Sequence, residues 1–165
     1  MKKHFRILSL LLTVFVFITT MFCHGENVVY ARYEFGNCGG NVSWLYDTDS
    51  CVLTISGKGS MLDCAYVYDE NIGLKEYGDT PWKKYTNKIK KVIVEEGVTY
   101  IGAFSFIECV KLESVELPNT LLEIGKSAFS GTRLKYVNIP DSVQEIGEFA
   151  FYRCFPLKEV DMGPE

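Results

Sequence analysis

The chain has 165 residues, 47% hydrophobic and 23% charged, with 17 basic and 21 acidic side chains for a net charge of −4. An acidic balance gives no electrostatic footing for nucleic acid or an anionic membrane surface. Both of its histidines, His4 and His24, lie near the N-terminus, so the remainder lacks the imidazole that Ser-His-Asp and Cys-His catalysis and most zinc sites require.

Residues 1–31 read as an export signal. Lys2, Lys3 and Arg6 make a positive start, and Ile7 to Phe22 is an apolar run of 16 broken only by Ser9, Thr13, Thr19 and Thr20. A membrane span needs about 20 apolar residues, so cleavage is expected, after Ala31 or alternatively after Gly25. Met21 and Phe22 are too bulky for the small-residue motif that would lipidate Cys23. Removing the leader takes both histidines with it and leaves 14 basic against 20 acidic residues on 134, a net charge of −6. That length suffices for one modest domain.

Residues 32–88 read as an N-terminal β cap and loop. Asn41 to Tyr46 alternates, placing Val42, Trp44 and Tyr46 on one face. Asp47-Thr48-Asp49-Ser50 is a turn, and Val52 to Ser56 returns as a second strand ending at Gly57 and Gly59. The turn lacks the later ligand positions of a calcium loop. Asn41-Val42-Ser43 is a glycosylation sequon, with meaning only in a eukaryotic secretory route. Met61 to Thr80 is polar, contains tyrosines, sustains no period and reads as a surface loop. Pro81-Trp82 then brings a large ring to the start of the next segment.

Residues 89–165 repeat about three and a half times. Ile101-Gly102, Ile124-Gly125 and Ile146-Gly147 fall 23 and 22 residues apart, and Phe106, Phe129 and Phe151 keep that spacing. The trio Ile89/Val92/Val94 recurs as Leu112/Val115/Leu117, Leu134/Val137/Ile139 and Leu157/Val160/Met162. An L-x-x-L-x-L core at this period is the signature of a leucine-rich repeat. The expected fold is a right-handed leucine-rich-repeat solenoid, mostly β with short helical turns. In one unit Leu112, Val115 and Leu117 point inward, Pro118 ends the strand, Ile124 returns to the core, Gly125 permits a bend, and Ala128-Phe129 forms a short helical turn. The first repeat leaves an apolar end open, and the hairpin with Trp44 and Trp82 is the expected lid.

Five cysteines follow the leader, so at least one cannot pair within the chain. Cys109 and Cys154 occupy equivalent positions two repeats apart, on the order of 10 Å at ordinary strand spacing, beyond the roughly 7 Å limit for bridging. Both are expected as buried thiols. Among Cys38, Cys51 and Cys64, the preferred disulfide is Cys38 with Cys51 across the hairpin. A metal site from these three lacks C-x-x-C spacing and a histidine, and no cofactor is expected.

The outward strand positions form a concave ladder of candidate contact residues: Lys91 and Ile93; Ser114 and Glu116; Tyr136 and Asn138; Glu159 and Asp161. Ile93 and Tyr136 are apolar bodies on an otherwise polar face, as a modest contact surface requires. Catalysis finds little support. Adjacent Glu95 and Glu96 on a strand end point to opposite faces, and Gly57 and Gly59 lack the spacing of a phosphate-cradling loop.

The stretches Cys38-Gly39-Gly40-Asn41-Val42-Ser43-Trp44, Leu53-Thr54-Ile55-Ser56-Gly57-Lys58-Gly59-Ser60-Met61 and Pro81-Trp82 resemble the N-terminal cap of BspA-like leucine-rich-repeat proteins. Ile139-Pro140-Asp141-Ser142-Val143-Gln144-Glu145-Ile146-Gly147-Glu148-Phe149-Ala150-Phe151 resembles that family's repeat. The resemblance implies a bacterial secreted or surface protein that binds an extracellular protein or cell-wall ligand in adhesion. Cys51 and Cys64 depart from it, falling where turn or aromatic residues are expected. Relatives carry more repeats, whereas Val160-Asp161-Met162-Gly163-Pro164-Glu165 stops part-way into a fourth. The alternative expectation is therefore a truncated structural remnant that self-associates through an uncapped C-terminal edge.

Overall fold

A computed structural model describes residues 32–64, 66–69, 74–77 and 80–162. The expected leader, 1–31, lies outside them. The first sheet begins with three antiparallel strands, β1 (Tyr33–Asn37), β2 (Val42–Asp47) and β3 (Val52–Gly57). Inward residues of the β2–β3 hairpin, Val42, Trp44, Tyr46, Leu53 and Ile55, are buried, as their alternation requires. A short strand, β4 (Gly59–Ser60), follows. The stretch read as a loop instead contains a second antiparallel hairpin, β5 (Tyr66–Asp69) with β6 (Leu74–Tyr77), Tyr66 opposite Tyr77. Aromatic and β-branched residues at 66–68 carry strand propensity, but four residues are too few for an alternating period to stand out.

After a single turn of 3-10 helix at Lys83–Tyr85, the repeat strands pair in parallel within three sheets. β7 (Lys91–Val94) pairs with β3 on one side and β9 (Ser114–Glu116) on the other, extending the cap sheet into the repeats. β8 (Val98–Ile101), β10 (Glu123–Ile124) and β12 (Glu145–Ile146) stack with β4 as a second sheet. β11 (Tyr136–Asn138) pairs in parallel with β13 (Glu159–Asp161). Partners are offset by one repeat: Ile101 opposes Ile124, and Ile124 opposes Ile146. A residue type that recurs every 22 or 23 positions therefore meets itself in the next unit.

The turns form a third contact between repeats. Phe104, Phe106 and Glu108 donate backbone N–H groups to the carbonyls of Lys126, Ala128 and Ser130, at 2.9, 2.8 and 2.8 Å. These segments are not helical. Each takes left-handed backbone twice per repeat, at Phe104 and Glu108, Ser127 and Gly131, Phe149 and Arg153. Helix propagation needs an unbroken run of right-handed residues, so each i to i+3 bond, such as Ser130 to Ser127, stays an isolated turn.

Between these walls the rings stack into a column. Trp82 lies 5.3 Å from Phe106, Phe106 5.2 Å from Phe129, and Phe129 5.5 Å from Phe151, all within 17° of parallel. Trp82 occupies the place that phenylalanine takes in each repeat and meets Trp44 edge-on at 6.2 Å. Both tryptophans are buried, in the lid role expected of them. Gly125 serves close approach rather than a bend: a Cβ there would sit 2.6 Å from the backbone nitrogen of Ala103 in the preceding repeat. Gly147 meets Lys126 N at the same 2.6 Å.

Candidate functional site

The alternation that buries Val92, Val94 and Val137 turns Lys91, Ile93, Tyr136 and Asn138 outward. Lys91 and Ile93 are half-buried, while Ser114, Glu116, Tyr136, Asn138, Glu159 and Asp161 are exposed. Cross-strand register brings them together in two groups. Lys91 opposes Ser114 and Ile93 opposes Glu116 in the first sheet; Tyr136 opposes Glu159 and Asn138 opposes Asp161 in the β11–β13 pair. The groups are joined by the Arg133 N–H donating to Leu112 O at 2.9 Å and by an ion pair between Lys135 and Glu113 at 2.5 Å.

Among the described residues, two ion pairs and a tyrosine–carboxylate hydrogen bond lie on this face. Lys91 Nζ lies 2.5 Å from Glu116 Oε1, and the Tyr136 hydroxyl donates to Asp161 Oδ2 at 3.2 Å. Lys135 holds the Glu113 carboxyl below its ordinary range, by a hydrogen bond first and by its charge second. Exposed pairs of this kind contribute little to stability.

The register reveals contributors that periodicity within the repeats could not. Phe35 opposes Leu45, Leu45 opposes Thr54, Thr54 opposes Ile93, and Ile93 opposes Glu116. Opposed residues share a face, so an apolar row of Phe35, Leu45 and Ile93, interrupted by Thr54, runs from cap to repeats. Phe35 at its end is 54% exposed, unusually open for a phenylalanine. The clue in the sequence was the complement of the buried Val42/Trp44/Tyr46 set. Only the parallel pairing of β3 with β7 shows that this complement lies beside the ladder.

The structure corrects the expected Cys38–Cys51 disulfide. Both are thiols. Cys38 N–H bonds to Val42 O and Cys51 N–H to Asp47 O, each at 2.9 Å, which places them at opposite ends of β2. Five strand steps separate those ends, about 17 Å, far beyond the reach of a disulfide. Cys109 and Cys154 are the buried thiols expected. Burial first and the charge of Glu108 second raise the Cys109 pKa to about 12, and Cys154 Sγ donates to Phe129 O at 3.1 Å. Among the described residues, no group of three His, Cys, Asp or Glu side chains is placed to hold a metal. Among the same residues, no helix is long and apolar enough to cross a membrane.

The family model described as "BspA type Leucine rich repeat region (6 copies)" matches residues 82–165. No curated protein matches the chain. Among solved structures, a leucine-rich repeat protein from Eubacterium ventriosum superimposes with a TM-score of 0.52 at 22% identity, over 79% of this chain and 44% of that one. This chain thus spans less than half of that protein's length. A leucine-rich repeat protein from Bacteroides capillosus matches at 26% identity and a TM-score of 0.45, over 81% of this chain and 100% of that one. A leucine rich cell surface protein from Faecalibacterium prausnitzii matches at 17% identity and 0.40, over 82% and 55%.

Proposed function

This chain belongs to the BspA-type leucine-rich repeat family, and we propose that it is an exported binding module of the cell surface or its surroundings, non-enzymatic and without a cofactor. Its repeats continue the cap sheet as a right-handed solenoid whose concave strand face engages an extracellular protein or a cell-wall ligand in adhesion. The observation that supports this most directly is the apolar row of Phe35, Leu45 and Ile93, bordered by the Lys91–Glu116 ion pair. Next to an ion pair such as Lys91–Glu116, an apolar row offers a partner desolvated contact without stripping water from a lone charge.

Immobilised extracellular-matrix proteins and purified cell walls are the panel to screen, with binding read by surface plasmon resonance or co-sedimentation. Ile93→Asp or Phe35→Ala should weaken whatever interaction is found by about 30-fold or more, the scale of a contact hot spot. Lys126→Ala, in the turn segment beyond β10, should leave it unchanged. Equal affinity in all three variants would remove this face from consideration.

Exposure in the last described unit favours a second reading, in which the chain self-associates there as a structural piece. Ile101 and Ile124 are wholly buried, whereas Ile146 is 37% exposed; Phe149, Tyr152, Phe155 and Met162 are each more than half exposed. Phe149 and Tyr152 meet edge-on at 5.6 Å, and exposed apolar rings of this kind mark an association surface. Light scattering coupled to size-exclusion chromatography decides it. Concentration-dependent dimers that dissolve in a Phe149→Ser/Phe155→Ser variant support association, and a monomer across the accessible concentration range refutes it.

A further inference from the structure

Cys64, one of the two cysteines that depart from the family pattern, is buried beside the first repeat, its Sγ 3.9 Å from Ser105 Oγ. Residues 60–64 form a strap that binds the cap to the first repeat. Met61 N–H donates to Tyr100 O at 3.2 Å and Cys64 N–H to Ala103 O at 2.9 Å, while Asp63 Oδ1 accepts from both the Tyr100 hydroxyl at 2.6 Å and Ala103 N–H at 2.8 Å. The same strap lies against the turn after β1. Leu62 N–H donates to Cys38 O at 2.7 Å, and a Cβ on Gly39 would collide with Ser60 O, so the two backbones run in direct contact there. Cys38 and Cys64 are both buried, at 4% and 9% exposure. They are near enough for charge on Cys64 to raise the Cys38 thiol, which burial pushes up to about 12. Cys51, by contrast, sits at the far end of the hairpin, its Sγ donating to Thr48 O at 3.8 Å.

We propose that Cys38 and Cys64 form a structural disulfide that staples the cap to the strap over the first repeat. A low-molecular-weight disulfide such as oxidised glutathione serves as oxidant. One cysteine displaces half of it to give a mixed disulfide, and the second displaces the remaining half. Two cysteine thiols become one S–S bond, and two electrons and two protons leave in two reduced thiols. Because both sulfurs are buried in the folded chain, the bond forms during folding and is then shielded from reductant. The proposal draws on export for the oxidant in the cell, but the pairing is tested without assuming export.

The full chain is refolded with a mixture of reduced and oxidised glutathione, alkylated, and mapped by mass spectrometry, with a Cys51→Ser variant in parallel. In that variant the tryptic peptides 33–58 and 59–75 contain only Cys38 and Cys64, respectively. The expected result is those two peptides linked, about 2 Da below the sum of their reduced masses. A loop of this size should raise Tm by about 10 °C over the reduced protein. The gain should persist in Cys51→Ser and vanish in Cys64→Ser. Should Cys64→Ser fail to fold, the peptide map of Cys51→Ser with its oxidised-minus-reduced Tm difference decides alone. Unlinked 33–58 and 59–75 after oxidation, a link through a different cysteine, or a linked protein no more stable than the reduced one would each overturn the proposal.

Discussion

Replacing Phe129 by alanine probes the aromatic column at its midpoint. The ring is fully buried, with Phe106 at 5.2 Å on one face and Phe151 at 5.5 Å on the other. Truncating a buried phenylalanine costs about 3–5 kcal/mol, and each stacked pair adds about 0.5–1.5 kcal/mol beyond area burial. The upper part of that range, about 4–5 kcal/mol, is therefore expected for Phe129→Ala. Phe151 stacks on one ring of the column and is only partly buried; Phe151→Ala should cost about 2 kcal/mol. Urea unfolding followed by tryptophan fluorescence reads both, because Trp82 heads the column and Trp44 touches it. With an m-value of about 2 kcal/mol/M, the midpoint should fall by about 2 M for Phe129→Ala and about 1 M for Phe151→Ala. A domain of this size has about 5–15 kcal/mol in total, so the first variant approaches the limit of folding. Equal shifts for the two variants, or a cost below about 2 kcal/mol at Phe129, would refute the column as a unit of packing. A reduced m-value would show the repeats coming apart separately from the cap.

Two further predictions test the contacts between repeats. Gly125→Ala would place a methyl 2.6 Å from Ala103 N and 2.7 Å from Ile101 O, both backbone atoms that cannot move alone; a loss of about 2–3 kcal/mol is expected by the same urea assay. Gly40→Ala, with open space around its Cβ, should be near neutral, and a neutral Gly125→Ala would show that the repeats are not so closely spaced. The carboxyls of Glu113 and Glu148 are held below the ordinary range by hydrogen bonds from Lys135 and Lys126. A depressed folded-state pKa stabilises above the unfolded value of about 4.3, and the stabilisation is lost as pH falls through the folded value. NMR titration should place the Glu113 midpoint below that of an ordinary glutamate and return it towards normal in Lys135→Met; no difference between the two proteins would sever the link to the ion pair.

The repeat was legible because parallel stacking makes each unit solve the same packing problem. Ile101 and Ile124 oppose each other because their neighbours in sequence demand the same register, and a 22- to 23-residue period encodes that directly. The cap hairpin was legible for a simpler reason, the strict alternation of Val42, Trp44 and Tyr46. The ladder residues followed as the complement of the buried set.

What the sequence could not decide depends on where separate segments meet. Glycine after each isoleucine looked like a bend, but its role is set by the backbone of the repeat beneath, which no local pattern reports. The turn at Ala128-Phe129 was expected to be helical, yet left-handed backbone at Ser127 and Gly131, as at Phe104 and Glu108 one repeat earlier, breaks the helix. Cys38 and Cys51 looked like partners because they flank one hairpin, and the direction of its strands sets them at opposite ends. The apolar row from Phe35 to Ile93 likewise exists only through the pairing of β3 with β7. Periodic and local information determined the repeat, its core and the cap strands, because each follows from the side-chain period of a single element. Tertiary structure alone decided the close approaches, the cysteine neighbours and the extent of the shared face, because each depends on register between elements distant in the chain.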